Sequence, residues 1–410
     1  MMGIVENVKD RIAILGWSQQ AIEAIGKMNR PYIVVAPLEF QAYANVFGIP
    51  FIPWQFEWAI EEAHQLYETL KLWNTKLAIP IYEETVEWAG AINAKLENNP
   101  RLFQQSMLFR DKGLMKRKAQ LAGMRVGIFE EAQNKQDVYY FLKRMNEAML
   151  KVNGEVNELI HVKPFNKAGT VGHRIIQSAQ DIEAIDDQEF PLLMESHLNG
   201  KEFCCEVFVH NGKIRFLNIT EYVKLGHSNF VPASPSLEKW RPNVTREIEK
   251  LVDAFEFNYG ILHAEFFVTS DGTLNFGEVG ARVPGGHIFE HIERVYGFNP
   301  FQGQILCSDP DTTDAELEAF FPQEVVSAKG YAGIIMVYPH FNVINQLTIP
   351  EKMKNHPYYV RHEMFNPDSP MQVPVRVGTG NHYGSIYFFG QDADEMSYIL
   401  NEYLYYDFYK

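Results

Sequence analysis

Two carboxylates, Glu265 and Glu278, stand one on each arm of the segment from Gly260 to Gly286, GILHAEFFVTSDGTLNFGEVGARVPGG. The apolar runs Leu262–Val268 and Thr273–Val279 flank a Ser-Asp-Gly turn, the pattern of a β-hairpin. Side chains alternate along a strand, so Glu265 shares a face with His263 and Phe267, and Glu278 shares one with Gly280 and Arg282. Folding across the turn brings both acids onto one surface beside a guanidinium. Two acids in apolar strands repel one another unless a cation lies between them. The chemistry that fits is a hard divalent ion with oxygen ligands, bridging a bound polyphosphate. The alternative is two solvated acids on an exposed hairpin, and other parts of the chain speak against it.

Upstream, VKPFNKAGTVGHRIIQ places Lys163 at the end of a strand, ahead of a loop of small residues, Lys167 to Gly172. Lysine supplies a point charge for phosphate, and small residues let backbone N–H groups come close to phosphate oxygens. The G-x4-G-K-[ST] pattern is absent, so this is not a P-loop; an ordinary glycine turn is the competing reading. In LLMESHLNGKE, Met194 to Leu198 reads as a short connection leaving a strand, whose backbone groups suit an adenine edge. Glu202 is suited to accept from two ribose hydroxyls. Taken singly, Glu195 and Glu202 read as solvated surface acids before they read as nucleotide ligands. His287 and His291 lie four apart in GGHIFEHIER, but Ile288 stands where the zincin pattern needs Glu. His287, just past the glycine turn, reads instead as a substrate-pocket residue.

The elements that must position these groups follow from periodicity. RIAILGW is a buried strand, Gln19–Met28 a helix and PYIVVAP a second strand, and this βαβ rhythm runs to about Asn99. Arg110–Ala122 is helical and basic, Arg125–Phe129 a short strand, and ELIHVKPF a strand stopping at Pro164. A β-rich stretch follows with an Asn211-Gly212 turn, then a helix over Val244–Phe255 leading into the hairpin. From about Gly330 a strand opens a closing β/α region that ends in a helix near Asp392–Tyr405. Its Tyr and Leu spacing fits core or subunit packing.

Bulk properties narrow the classes. A length of 410 residues suggests two or three domains, and 46% hydrophobic residues supply several cores. A net charge of −15 argues against broad nucleic-acid binding and against docking on anionic membranes. Three cysteines, two of them adjacent (Cys204 and Cys205), make neither a disulfide framework nor a zinc spacing. Glu6 and Asp10 sit where a signal peptide would carry positive charge, so the expected compartment is the reducing cytoplasm.

In this order, the pieces resemble the ATP-grasp superfamily from about Asp111 to Pro300. The resemblance implies an α/β fold of the ATP-grasp type. It divides the chain into a Rossmann-like N-terminal domain (1–108), a central lid (109–198), a catalytic domain (199–328) and an appended β-rich lobe (329–410). It makes Lys112 and Lys163 the nucleotide lysines, Lys167, Gly169 and Gly172 the phosphate loop, and Glu195, Ser196 and Leu198 the adenine hinge. Glu202 becomes the ribose acid, Glu265 and Glu278 the ligands of Mg2+ or Mn2+, and Arg282, with Lys163, the catalytic cation. One departure stands out: many members carry a metal-binding asparagine two residues after the second acid, and this chain has Gly280. EVGARVPGGHIFEHIERVYGFNP looks like the L-amino-acid ligase branch, with Gly285, Gly286 and His287 on the substrate side. That branch uses ATP to join a small-molecule carboxylate to an amine through an acyl phosphate. Loading of a carrier-protein thiol and a non-catalytic nucleotide-binding role are the competing readings, and a homodimer is common among similar enzymes.

Overall fold

The computed structural model describes residues 8–153, 159–322, 327–374 and 382–410, with backbone only for 149–153. Four parallel strands open the chain: β1 (Arg11–Leu15), β2 (Tyr32–Ala36), β3 (Phe51–Pro53) and β4 (Thr75–Pro80), in the order β3-β2-β1-β4. β1 is buried at every position and β2 at all but its first, as expected of parallel strands covered on both faces. The first helix, Gln19–Lys27, starts where the Ser18 hydroxyl accepts from the Ala21 N–H at 3.2 Å.

The lid is a separate antiparallel sheet of β5 (Phe129–Ala132), β6 (Ile160–Lys163), β7 (Arg174–Ile176) and β8 (Leu192–Ser196), in the order β5-β8-β6-β7. Val138, Phe141 and Leu142 of the helix Lys135–Asn153 pack on it against Ile160, Val162 and Met194. The strand expected over Arg125–Phe129 starts only at Phe129. Its first residues belong to another sheet: Val126 bridges to Phe276, whose N–H donates to the Arg125 carbonyl at 2.8 Å. The connection expected from Met194 to Leu198 is still strand as far as Ser196.

The remaining strands are β9 (Gly200–His210), β10 (Lys213–Lys224), β11 (Ser228–Val231), β12 (Tyr259–Thr269), β13 (Leu274–Gly280), β14 (Tyr331–Met336), β15 (Val343–Ile344), β16 (Tyr359–Met364), β17 (Met371–Gln372) and β18 (Gly384–Gly390). Eight of them form one antiparallel sheet, β13-β12-β9-β10-β11-β14-β18-β16, while β15 and β17 pair apart. The segment after 329 thus adds β14, β18 and β16 directly to the sheet that carries the hairpin.

β9 is buried from Phe203 to His210, and its side chains alternate between two cores. Phe203, Cys205, Val207 and Val209 join the core under the helices Lys112–Leu121 and Arg241–Ala254, while Cys204 and Phe208 join that under Ile288–Tyr296 and Pro300–Ser308. Both cysteines, and Cys307, are buried free thiols. Each fully buried phenylalanine in these cores is worth about 2–3 kcal/mol. The first domain docks on the helix Pro300–Ser308 and the loop after it through Gln304, which donates to the Pro80 carbonyl at 2.9 Å, and Lys76, 2.8 Å from both Asp309 and Asp311. Among the described residues, no helix is long and apolar enough to cross a membrane.

Candidate active site

The lid sheet and the hairpin β12–β13 face each other across a cleft of about 420 Å³. It is lined by Lys112, Lys163, Lys167, Gly169, Glu195, Ser196, Leu198, Glu202, Glu265, Glu278, Arg282, Gly285 and Gly286, residues drawn from 175 positions of chain. Of the residues singled out in the sequence, Gly172 and His287 are outside this lining. Gly172 (φ +73) closes the loop from behind, where a Cβ would meet Pro164 Cγ at 2.8 Å. His287 does not face the cleft as expected. Its Nδ1 lies 3.2 Å from the Tyr387 hydroxyl and its Nε2 3.3 Å from Ser385 Oγ, so strand β18 turns it into the junction between helix and sheet.

The loop expected to hold phosphate is bent by left-handed residues Gly169 (φ +60), Thr170 (φ +61) and Gly172, with the Val171 N–H donating to the Ala168 carbonyl at 3.2 Å and the His173 N–H to the Thr170 carbonyl at 3.1 Å. Lys112 starts its helix beside the Asp111 cap and donates to the Lys167 carbonyl at 2.7 Å, tying the loop to the floor of the cleft.

Beneath the loop lies a chain of buried charges. Lys163 Nζ is 2.5 Å from Glu195 and 3.3 Å from Glu278, and Lys112 Nζ is 3.7 Å from Glu278. Lys116, which the sequence reading passed over, pairs with the other oxygen of Glu195 and donates to the Gly277 carbonyl at 2.7 Å. It follows Lys112 by one helical turn, and that i, i+4 spacing was the available signal. Glu195 therefore is not a solvated surface acid. It is a buried counter-ion: desolvation opposes its charge, but Lys116 and Lys163 hold its carboxyl far below the usual range. Desolvation likewise opposes the charge on Glu278, and Lys112 with Lys163 holds it at about 2.

Glu202 has no such lysine pair. Burial, then the neighbouring charges of Glu265 and Glu278, push it up to about 8. Three carboxylates, Glu202, Glu265 and Glu278, converge here and repel one another, which is the donor chemistry of a hard cation site. The residues present fit a divalent ion, with Glu265 and Glu278 as oxygen donors.

Arg282 reaches the cleft with Nε donating to Glu83 at 2.6 Å and Nη1 donating to the Val283 carbonyl at 2.9 Å. Glu83, buried in the first domain, also accepts from Arg110 Nη1 at 3.0 Å. Nothing in the sequence pattern pairs residues 199 positions apart, and Glu83 and Arg110 went unnoticed there. Three imidazoles, also missed, line the lid side: His161 lies 2.8 Å from His173 and 3.0 Å from His197. Burial and then its two neighbours lower His161 to about 4, so that ring is uncharged at neutral pH.

Under the hairpin, Glu206 is fully buried, accepting on one oxygen from Asn218 Nδ2 (2.8 Å) and Thr220 Oγ1 (2.7 Å) and on the other from Cys204 Sγ (3.3 Å). His263 Nδ1 is 3.1 Å from that second oxygen, and His263 Nε2 is 3.6 Å from Glu265. Against desolvation, Glu206 and Glu265 raise His263 to about 9. Cys204, Glu206 and His263 lie within 4.8 Å of one another, but burial holds the thiol protonated and the Glu206 oxygens are saturated, so they make no metal site among themselves.

The sequence pattern of the ATP-grasp domain matches residues 159–290, the span that supplies most of this cleft. The chain contains an ATP-grasp domain. Among curated proteins it is similar to the L-arginine-specific L-amino acid ligase of Bacillus subtilis, 23% identical over 234 residues, covering 53% of this chain and 54% of that one. The chain thus spans about half the length of that relative. Among solved structures it is similar to an L-amino acid ligase from Bacillus licheniformis (TM-score 0.70, 16% identity, 96% of this chain and 97% of that one). It is also similar to the ADP complex of an N5-carboxyaminoimidazole synthetase from Staphylococcus aureus (TM-score 0.66, 18% identity, 96% and 97%). At these identities the structures show a shared fold, which runs through nearly the whole chain.

Proposed function

We propose that this chain is an ATP-dependent, ADP-forming carboxylate–amine ligase, acting on an amino acid as its carboxylate. The observation that carries the reading is the convergence of phosphate loop, Lys112, Lys163, the Glu265–Glu278 hairpin and Arg282 on one cleft. ATP lies between lid and hairpin, its base against His161, His197 and Leu198, its ribose near Glu202 and its phosphates under the loop. A divalent ion held by Glu265 and Glu278 supplies charge neutralisation at the phosphates.

The substrate carboxylate oxygen attacks the γ-phosphorus, and the bond to the β–γ bridging oxygen breaks, giving an acyl phosphate and ADP. Lys163 and Arg282 stabilise negative charge on the transferring group, the dominant electrostatic contribution in such transfers. Glu83 holds the Arg282 guanidinium in register for that work. The amine nitrogen then attacks the acyl carbon, and phosphate leaves as the amide forms. Closure of the loop keeps water from the acyl phosphate. The L-amino acid ligases among the similar proteins support this acceptor class.

The test is release of ADP and phosphate from Mg-ATP against pools of amino acids, with mass spectrometry of the products. A new mass equal to two amino acids less one water supports the reading. ADP release without a new amide transfers the acceptor role to a thiol, and no ATP turnover with any carboxylate sinks the proposal.

A further inference from the structure

The departure at residue 280 has a structural counterpart across the hairpin. In the pairing of β12 with β13, His263 stands directly opposite Gly280. Residues opposed in this way have Cβ positions about 5 Å apart on the same face. The space left by the missing asparagine side chain is therefore the space beside the His263 ring. The three atoms nearest to a Cβ at 280 would be Arg282 Cγ at 3.3 Å, Arg282 Nε at 3.5 Å and Glu83 Oε2 at 3.5 Å.

We propose that His263 replaces the asparagine, giving up its Nε2 proton to solvent as the ion enters and supplying Nε2 as a nitrogen ligand to the divalent ion held by Glu265 and Glu278. This rests on the nucleotide-site reading given above. Three observations carry it. First, the ring is oriented as a ligating histidine is: Nδ1 is 3.1 Å from a buried carboxylate, Glu206, which is fixed in turn by Asn218 and Thr220. Second, Nε2 lies 3.6 Å from Glu265 Oε1, beyond hydrogen-bond range. Two donors on one ion at roughly 2.1 Å stand on the order of 3 Å apart, so a small rotation brings both to it. Third, His263, though buried, is among the residues that line the cleft. An imidazole in the set shifts preference from Mg2+ towards Mn2+, because nitrogen donors suit transition metals better than magnesium.

The experiment uses the full chain with Mn2+ and ADP, read by pulsed electron paramagnetic resonance for nitrogen coupled to the ion. The wild-type protein is expected to show an imidazole nitrogen, and His263→Gln to lose that signal and bind Mn2+ about tenfold more weakly. Gly280→Asn in the His263→Gln background restores binding through oxygen, without the nitrogen signal. Gly280→Asn alone, which keeps the Glu206–His263 pair and guards against a folding defect, weakens the nitrogen signal. Bound Mn2+ with no nitrogen coupling in the wild type overturns the assignment, as does coupling that persists in His263→Gln, which would move the ligand to another histidine. Failure to bind Mn2+ and ADP at all overturns the nucleotide-site reading, and this inference with it.

Discussion

Replacing Glu202 with glutamine is expected to stabilise the metal-free protein, and to do so increasingly as pH rises. The folded chain holds the Glu202 proton to about 8, whereas the ordinary value is 4.5. Between these pH values the folded state keeps a proton the unfolded chain has released, so wild-type stability falls as pH climbs through the window. At about 1.36 kcal/mol per pH unit, the loss reaches ~5 kcal/mol above pH 8 as an upper bound. Solvent on the open side of the cleft and relaxation of the neighbouring acids reduce this to about 2–3 kcal/mol. Glutamine carries no charge to desolvate, so the two proteins should melt together at pH 5. At pH 9 they should separate by roughly 5–10 °C, taking about 2–4 °C per kcal/mol for a domain of this size. The assay is a pair of thermal melts at fixed scan rate across pH 5–9, without divalent ions and then with Mg2+ and ADP. A bound cation neutralises the acids and should close the gap. A difference that stays flat with pH, or a variant less stable than wild type at pH 9, would refute the claim that mutually repelling carboxylates converge here.

Glu278→Gln should lower ADP formation about a thousandfold while circular dichroism stays unchanged, since it removes a metal donor that Lys163 and Lys112 also touch; turnover at the wild-type rate would exclude Glu278 from the site. Lys116→Met leaves the Gly277 carbonyl without its lysine donor and Glu195 with Lys163 alone, a loss of about 3 kcal/mol that thermal melting reads directly. Gly286→Ala forces a side chain onto a backbone at φ +62 and a Cβ to 2.8 Å from Asn229 Nδ2. It should cost about 2 kcal/mol and raise the KM for the amino acid substrate, with the KM for ATP unmoved.

What the sequence made legible was local. The hairpin, the glycine loop and the strand ending at Lys163 are each written within a dozen or so neighbouring residues, and periodicity with turn chemistry is enough to draw them. Their gathering into one cleft came from the family resemblance, not from periodicity. Contacts made by distant segments were out of reach. Glu83 meets Arg282 only because the first domain docks on the catalytic sheet. His287 turns away from the cleft only because β18 offers it Tyr387 and Ser385, a hundred positions on. The ion pairs of Glu195 were out of reach because β8 continues three residues into the expected connection, as far as Ser196, which brings its side chain to Lys116. Glu206 did leave a trace: an acid in the middle of FCCEVFVH must find partners or lose its charge, and His263 is the partner.

The joining of β14 to β11 bears on where this chain can be cut. Removing everything after residue 329 would uncover the whole length of β11, leaving a row of unpaired N–H and C=O groups beside an apolar surface. Such an edge is a template on which a second chain adds its own strand, and the shortened protein should precipitate rather than persist as a smaller enzyme.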